Sequence, residues 1–444
     1  MPDNPRELLG SCVLVHVELP DRENQEDLPE LVRLVESAGG SAAAVLACRR
    51  GAPDPRFFIG SGKVLEIAAA LGAARAETVI FNSRLSPAQE RNLEGELKVR
   101  VMDRVALILL IFAQRARSYE GQLQVELAQL NYERARLVRG WTHLERQKGG
   151  FGLRGGPGET QIELDRRALR DRVGFLRREL ENVARRRERG RGRRRSGAIA
   201  SVALVGYTNA GKSTLFNRLC SAGVYAADQL FATLDPTLRA LELPAVGRTV
   251  FVDTVGFIRH LPHDLIAAFR ATLEETAGSD LLLHVVDAAD KRLEDNIQAV
   301  NTVLKEVGAA HVRTLIVYNK SDLLPDGFTG VIREDGVPAR VCVSAKTGQG
   351  LDALKSAVSE LLSRSVCSFE AVLPPSEGKL RSLLYSALAV REEKYLDDGR
   401  VLLSLALERS ECARIEKQSG GALGRCAAGG LPWREDEFDF DTVE

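Results

Sequence analysis

The chain opens with short apolar runs set between stretches of helical period. Ser11 to Leu19 and Ala42 to Ala47 read as strands, while Asp27 to Ala38 carries apolar residues at helical spacing and stops at Gly39-Gly40. Thr78 to Phe81 and Val99 to Met102 are two further strand-like runs, interleaved with helical patterns at Lys63 to Leu71 and Pro87 to Leu97. This alternation predicts a small α/β domain with a parallel sheet over residues 1–117. From Ser118 the period changes. Leu123, Leu127, Leu130 and Leu137 lie on one helical stripe, and Ile162, Leu169, Val173, Leu176, Leu180 and Val183 recur at the spacing of a coiled-coil seam. Two helices with one apolar stripe each predict an antiparallel helical hairpin over 118–195. The α/β rhythm resumes over 196–366, with strand-like Ile199 to Val205, Thr249 to Val252, Val312 to Tyr318 and Ala339 to Val343, and a closing helix from Gly350 to Leu362. A small C-terminal α/β domain is expected over 367–430, with strands at Phe369 to Leu373 and Val401 to Leu407 and a helix from Gly378 to Leu388. Residues 431–444 read as a disordered acidic tail, since Arg434 to Glu444 holds six acids against one arginine.

Charge modifies this picture locally and not globally. With 61 basic and 61 acidic residues in 444, no overall field draws a polyanion. The second helix of the hairpin is different: Leu164 to Arg195 holds fourteen arginines against five acids and includes Arg185-Arg186-Arg187. Such a run is often only a solvated face, but arginine at this density favours phosphate and RNA contact through its bidentate fork. The connecting loop, Gly149 to Gly158, has six glycines in ten residues. It is either a linker or a loop ordered on a partner, with Trp141, Phe151 and Arg154 available to stack on bases. Seven cysteines without a C-x-x-C pair point to a reducing compartment and away from a zinc site. The longest apolar stretch, Val105 to Ala113, is too short to span a bilayer, and the N-terminus, with Asp3, Arg6 and Glu7, lacks a signal-peptide pattern. A cytoplasmic, monomeric protein with no membrane span is expected.

The candidate chemistry centres on Gly206-Tyr207-Thr208-Asn209-Ala210-Gly211-Lys212-Ser213-Thr214, between a strand-like run and a helical one. This is the pattern of a phosphate-binding loop. Glycines let successive N–H groups converge on a phosphate, the helix N-terminus adds its dipole, Lys212 reaches the β- and γ-phosphates, and the Ser213 hydroxyl becomes a Mg²⁺ ligand. Downstream, Asp253-Thr254-Val255-Gly256 ends a strand-like run, where the carboxylate can hold Mg²⁺ through water and the Gly256 amide can sense the γ-phosphate. In Asn319-Lys320-Ser321-Asp322 the Asp322 carboxylate can accept from guanine N1–H and the 2-amino group, a pair that adenine cannot offer. Ser344-Ala345-Lys346 supplies backbone amides for the guanine O6. Each motif is weak alone; in this order, each after an apolar strand, they specify guanine nucleotide binding. Phe57 to Lys63 resembles half of another such loop and is either a turn capping a helix or a weak anion, nucleotide or RNA contact.

The loop and its sequel, GGFGLRGGPGETQIELDRR from Gly149 to Arg167, joined to GYTNAGKST, FATLDPT, DTVGF and NKSD, resemble the HflX family of GTPases, relatives of the Obg-type translation GTPases. The likeness is close over Gln122 to Val366 and looser before it. It implies a P-loop GTPase domain with a mostly parallel sheet. It also implies binding to the large ribosomal subunit and its rRNA, and a function in splitting or rescuing stalled ribosomes with the glycine-rich loop directed toward the peptidyl-transferase centre. It places a first switch at Phe231-Ala232-Thr233-Leu234-Asp235, with Thr233 as the Mg²⁺ and γ-phosphate sensor and Thr237 as the alternative, and a second switch from Asp253 to about His263. Asn209 resembles the asparagine that holds K⁺ in cation-activated GTPases. Phe257 departs from the Ras-like pattern, in which a glutamine orients the attacking water; slow intrinsic turnover and strong stimulation by a partner are expected, with His260 and His263 as weaker substitutes. A signalling GTPase with a protein effector, or a nucleotide-driven RNA remodeller, are the competing classes.

Overall fold

In the computed structural model the described residues are 9–20, 28–140, 157–196, 199–220, 230–231, 233–244, 246–258, 276–324, 327–363, 366–387, 389–428 and 431. Trp141, Phe151, Arg154, residues 432–444 of the acidic tail, Ala232, His260 and His263 lie outside them, as do the side chains of Leu137, Ile162 and Arg187; Leu431, expected in that tail, is instead buried in the core of the C-terminal domain.

Strands β1 (Ser11–Glu18), β2 (Ser41–Arg49), β3 (Thr78–Phe81) and β4 (Arg100–Asp103) form a parallel sheet in the order β2-β1-β3-β4. Parallel sheets are buried on both faces, and the alternation along β1 shows how. Val13, Val15 and Val17 face one cluster with α2 (Ser61–Ala74) and α3 (Pro87–Leu97), while Cys12 and Leu14 face another with α1 (Leu28–Ser37) and α4 (Arg104–Arg115). α3 starts with a full capping box between Ser86 and Gln89, and α4 is capped by Asp103, which accepts from Ala106 N at 2.8 Å. The run Val105 to Ala113 thus belongs to a core helix of this domain.

α5 (Tyr119–Gly140) and α6 (Pro157–Ser196) make the hairpin. Their antiparallel sense follows from two cross-helix contacts. Tyr119 OH donates to Glu179 at 3.3 Å and Arg172 pairs with Glu126 at 2.7 Å, so seven residues forward on α5 match seven back on α6. Leu123, Leu127, Val173 and Leu176 are buried between them, with Leu130 and Leu180 at the margin. Further along, toward the connecting loop, α5 joins a larger assembly. Tyr132 donates to the buried Asp103 at 2.9 Å, and Arg136 pairs with Glu90 of α3.

The second sheet has seven strands in the order β10-β11-β9-β8-β5-β7-β6, built from β5 (Ala200–Val205), β6 (Thr237–Leu243), β7 (Gly247–Asp253), β8 (Leu281–Asp287), β9 (Thr314–Asn319), β10 (Gly330–Glu334) and β11 (Val337–Cys342). Only the two edge strands, β6 and β10, run antiparallel to their neighbours. Along β5, Val202 and Leu204 pack with α7 (Lys212–Cys220) and α9 (Leu351–Ser363). Ala203 and Val205 share a cluster with α8 (Leu293–Glu306), and that cluster is continuous with α1, α4 and the α5 residues Val125 and Ala128. One apolar core therefore runs from the first domain through the hairpin root into the second sheet.

The remainder is a three-stranded antiparallel sheet, β12 (Val366–Leu373), β14 (Val401–Glu408) and β13 (Val390–Tyr395), with α10 (Gly378–Ser386), α11 (Arg409–Gln418) and α12 (Ala422–Cys426). β13 is absent from the sequence expectation because it is an edge strand of sequence VREEKY, mostly exposed and without an apolar stripe. No described helix is long and apolar enough to cross a membrane.

Leu176 is fully buried in the small arm cluster. Leu176→Ala should destabilise the protein by about 2–4 kcal/mol, read as a lowered denaturant midpoint; a loss below about 0.5 kcal/mol would mean that the hairpin seam is not packed as described.

Candidate nucleotide-binding site

β5 is a buried central strand, and the chain leaves it into α7 through Gly206 to Gly211. Gly206 (φ 149°) and Gly211 (φ 89°) adopt backbone conformations that L side chains rarely take. A Cβ on Gly206 would collide with the Val285 carbonyl, and one on Gly211 with the Asn319 amide nitrogen. Lys212 is buried, and its Nζ donates to the carbonyls of Gly206 (3.0 Å) and Tyr207 (2.8 Å). Burial lowers its pKa to about 8, with Asp253 pulling the other way.

Three oxygens converge beside it. Asp253 Oδ2 accepts from Ser213 Oγ at 2.7 Å and from Thr233 Oγ1 at 3.0 Å, and the two hydroxyls lie 2.7 Å apart. Asp253 is completely buried, and its Oδ1 has no hydrogen-bond partner among the described residues. Burial pushes its carboxyl pKa up, while Ser213, Lys212 and Thr233 oppose that. A hard oxygen donor set with an orphaned carboxylate oxygen fits Mg²⁺. Of the two candidate threonines, Thr233 is the one placed here; Thr237 opens β6.

The far end of the cavity is tied to the same loop. Asn319 Nδ2 donates to Ala210 O at 2.8 Å while its Oδ1 accepts from Ala345 N at 2.9 Å. One side chain thus joins three segments separate in sequence. Ser344 Oγ donates to Asp322 Oδ1 at 2.5 Å, and Lys320, at φ 63°, pairs with Asp287 at 2.7 Å. A cavity of about 470 Å³ lies between, lined by Thr208, Asn209, Gly211, Lys212, Ser213, Thr214, Phe231, Thr233, Thr254, Gly256, Asn319, Lys320, Asp322, Ala345 and Lys346.

Not every expected residue turns toward this cavity. Val255 and Leu234 are buried in the shared apolar core, and Ser321 is completely buried. Tyr207 OH donates to Glu30 of α1 at 2.9 Å, and Glu30 is itself paired with Arg104. Asp235 turns to the hairpin, where its carboxylate accepts from Arg117 N (2.9 Å), Ser118 N (2.8 Å) and the Ser118 hydroxyl. It satisfies amides at the start of α5, which leaves it no part in lining the cavity. Gly121 makes room for it, since a Cβ there would collide with Asp235 Oδ1. Phe231 stacks edge-on against Phe112 of α4, centroids 4.7 Å apart, and Leu230 N donates to Ser37 Oγ at 2.9 Å. These contacts were invisible in the sequence because their partners lie in different domains.

Phe257 is bridged to the phosphate loop through its backbone: Thr208 N donates to Phe257 O at 2.7 Å and Phe257 N to Gly206 O at 3.1 Å. Its ring is buried in the shared core. The segment Phe57 to Lys63 is a helix-capping turn, with Phe57, Phe58 and Ile59 buried and Lys63 paired with Glu66 at 2.6 Å.

Family models match along most of the chain: "GTP-binding GTPase N-terminal" over residues 25–113, "GTP-binding GTPase Middle Region" over 115–194, "50S ribosome-binding GTPase" over 201–320 and "HflX C-terminal domain" over 331–426. The chain is 55% identical to the GTPase HflX of Escherichia coli over 408 residues, 92% of this chain and 96% of that one. The chain belongs to the HflX family of GTPases. A second member, the GTPase HflX of Magnetococcus marinus, is 48% identical over 380 residues, 85% of this chain and 88% of that one. Among solved structures, a GTP-binding protein from Sulfolobus solfataricus in complex with GDP is 25% identical, covering 80% of this chain and 99% of that chain, at a TM-score of 0.45. The protein is therefore a GTPase that hydrolyses GTP to GDP and phosphate, built on the P-loop GTPase fold of the HflX family.

His284 of β8 is buried beside this site, and burial, followed by the nearby Lys212 charge, lowers its pKa to about 4. The folded value lies below the ordinary 6.5, so the unfolded chain takes up the proton first and stability falls as pH drops through that interval. Relative to His284→Gln, the wild type should lose denaturant resistance between pH 7 and pH 5; parallel pH profiles for the two proteins would contradict the buried neutral imidazole.

Proposed function

We propose that this GTPase binds the large ribosomal subunit and its rRNA in the GTP state, and uses GTP binding and hydrolysis to split or rescue stalled ribosomes. The observation that carries this reading is the two-sided fastening of the first switch. Thr233 sits with Ser213 and Asp253 at the nucleotide cavity, and Asp235, two residues on, holds the first turn of the arm helix α5. A change at one end of so short a segment is transmitted to the other, as in switch loops that gate a partner.

Within the cavity each chain element has a role. The loop amides and Lys212 bind and orient the phosphates, Asp322 and the Ser344–Lys346 amides select guanine, and Gly256 senses the γ-phosphate. Ser213 and Thr233 would hold Mg²⁺ directly and Asp253 through water. The bound ion would neutralise charge on the β- and γ-oxygens. Asn209, at φ 61° on the cavity wall, is the candidate K⁺ ligand; equal hydrolysis rates in K⁺ and Na⁺ would remove that assignment. With Phe257 packed in the core, no glutamine-like side chain stands at its position to orient water, which supports completion of the site by a partner.

The arm supplies the RNA-facing element in this reading. Arg185 and Arg186 are exposed on α6, and their run continues to Arg187. The glycine-rich loop with Phe151 and Arg154 would reach furthest into the partner. Co-sedimentation with isolated large subunits should be stronger with a non-hydrolysable GTP analogue than with GDP. Neutralising Arg185, Arg186 and Arg187 together should reduce the slope of log affinity against log salt by about 2–3. Nucleotide-independent binding would return the arm to a protein-effector reading, and an unchanged slope would return the arginine run to a solvated face.

A further inference from the structure

We propose that Glu30, a residue of the N-terminal domain, is a positioning residue of the nucleotide site: through the hydroxyl of Tyr207 it holds the phosphate loop in the geometry that receives GTP and GDP. The inference rests on the nucleotide occupying the cavity described above.

Tyr207 follows Gly206, so its backbone belongs to the loop while its side chain leaves it. The two ends of the residue are fastened to different domains. Its carbonyl accepts from Lys212 Nζ at 2.8 Å, and its backbone is bridged to Phe257. Its hydroxyl donates to Glu30 Oε2 at 2.9 Å, and Glu30 lies in the first turn of α1. The side chain between them is buried in the shared core. Apolar contact is non-directional and leaves the ring free to rotate in place. A hydroxyl bonded to a carboxylate away from water is directional and strong, so it fixes where Tyr207 stands.

Glu30 is itself held from behind. Its Oε1 pairs with Arg104, the first residue of α4. Arg104 Nη1 donates to Asn82 Oδ1 at 3.2 Å. Asn82, next after β3, donates its backbone N–H to Val15 O of β1 at 2.9 Å, and its Nδ2 lies 3.1 Å from His16 Nδ1. Glu30, Arg104 and Asn82 are all buried. Burying charged groups is unfavourable unless their pairing is complete, so each member is kept in place by its partners. The polar line thus runs from the N-terminal sheet to the residue whose carbonyl holds Lys212. A loop ordered in advance loses less freedom when a phosphate binds, which raises affinity. By linkage, bound nucleotide in turn favours the docking of α1 on the loop.

The test is a double-mutant cycle in the full-length protein, reading dissociation constants for GTP and GDP at fixed Mg²⁺ and K⁺ together with the denaturant midpoint. Tyr207→Phe keeps the ring in the core and removes the hydroxyl, while Glu30→Met keeps the length of the side chain and removes the acceptor. Tyr207→Phe should weaken GTP and GDP binding alike by roughly 3- to 10-fold. In the Glu30→Met background the same substitution should change either constant by less than about twofold, because the partner of the hydroxyl is already gone. Wild-type or tighter affinities in Tyr207→Phe overturn the proposal, including the case in which the midpoint falls and the contact is a structural tie alone. Additive losses in the double variant overturn it too, since the two residues would then act separately. If Glu30→Met does not fold, Glu30→Met combined with Arg104→Met takes its place under the same criteria, because apolar chains in place of the whole buried pair leave neither charge stranded. The site reading itself fails separately: wild-type nucleotide affinity in Lys212→Ala would displace the nucleotide from this cavity whatever the Tyr207 variants do.

Discussion

Burial of Leu230, Phe231 and Leu234 in an apolar core shared with α1 and α4 is the constraint on which the arrangement of this protein depends. The segment that carries Thr233 to the nucleotide cavity is held by the N-terminal domain as much as by the GTPase sheet. Apolar contact of this kind is non-directional and acts through area removed from water. It fixes where the segment lies without dictating the position of each polar atom. That precision comes from Ser37, whose hydroxyl takes the Leu230 amide, and from the edge-on meeting of Phe112 and Phe231.

On this apolar base the polar links form a chain from nucleotide to arm. Asp253 gathers Ser213 and Thr233, while Asp235 gathers the amides at the start of α5. The arm is in turn braced further along α5 by Tyr132 and Arg136 against Asp103 and Glu90, both belonging to the N-terminal domain. Asp103 also caps α4, the helix that carries Phe112. Domain, arm root and first switch thus share members, so displacing one strains the others. Such sharing is the physical form that coupling between a nucleotide and a distant surface takes when packed elements have discrete arrangements.

The nucleotide motifs were readable in the sequence because their chemistry is local. A loop that wraps a phosphate needs glycine at Gly206 and Gly211 whatever surrounds it, and a carboxylate that reads guanine must follow its strand closely. The helical seam of the arm was readable for the same reason, since Val173, Leu176 and Leu180 lie on a single face. What could not be read was set by long-range meetings. Nothing in the neighbourhood of Glu30 announces Tyr207, and nothing near Ser118 announces Asp235. The strand Val390–Tyr395 was hidden for another reason, its exposed edge position, which removes the apolar alternation on which recognition of a strand depends. Asp235 and Thr233 sit in one switch in the sequence, and only their hydrogen-bond partners separate them, the arm for one and the nucleotide cavity for the other.

Phe257 is where the proposed kinetic character meets the fold. Its backbone joins the phosphate loop while its ring fills the core, so the position that orients water in Ras-like enzymes is spent on holding the domains together. Under the proposed function an enzyme so built hydrolyses GTP slowly alone and depends on a partner to complete the site. The most direct measurement is GTP hydrolysis by the purified protein with and without isolated large ribosomal subunits, at fixed K⁺ and Mg²⁺. Stimulation of roughly 10³-fold or more is predicted. An unchanged rate with saturating subunits would contradict a ribosome-completed site and leave the arm without its proposed role.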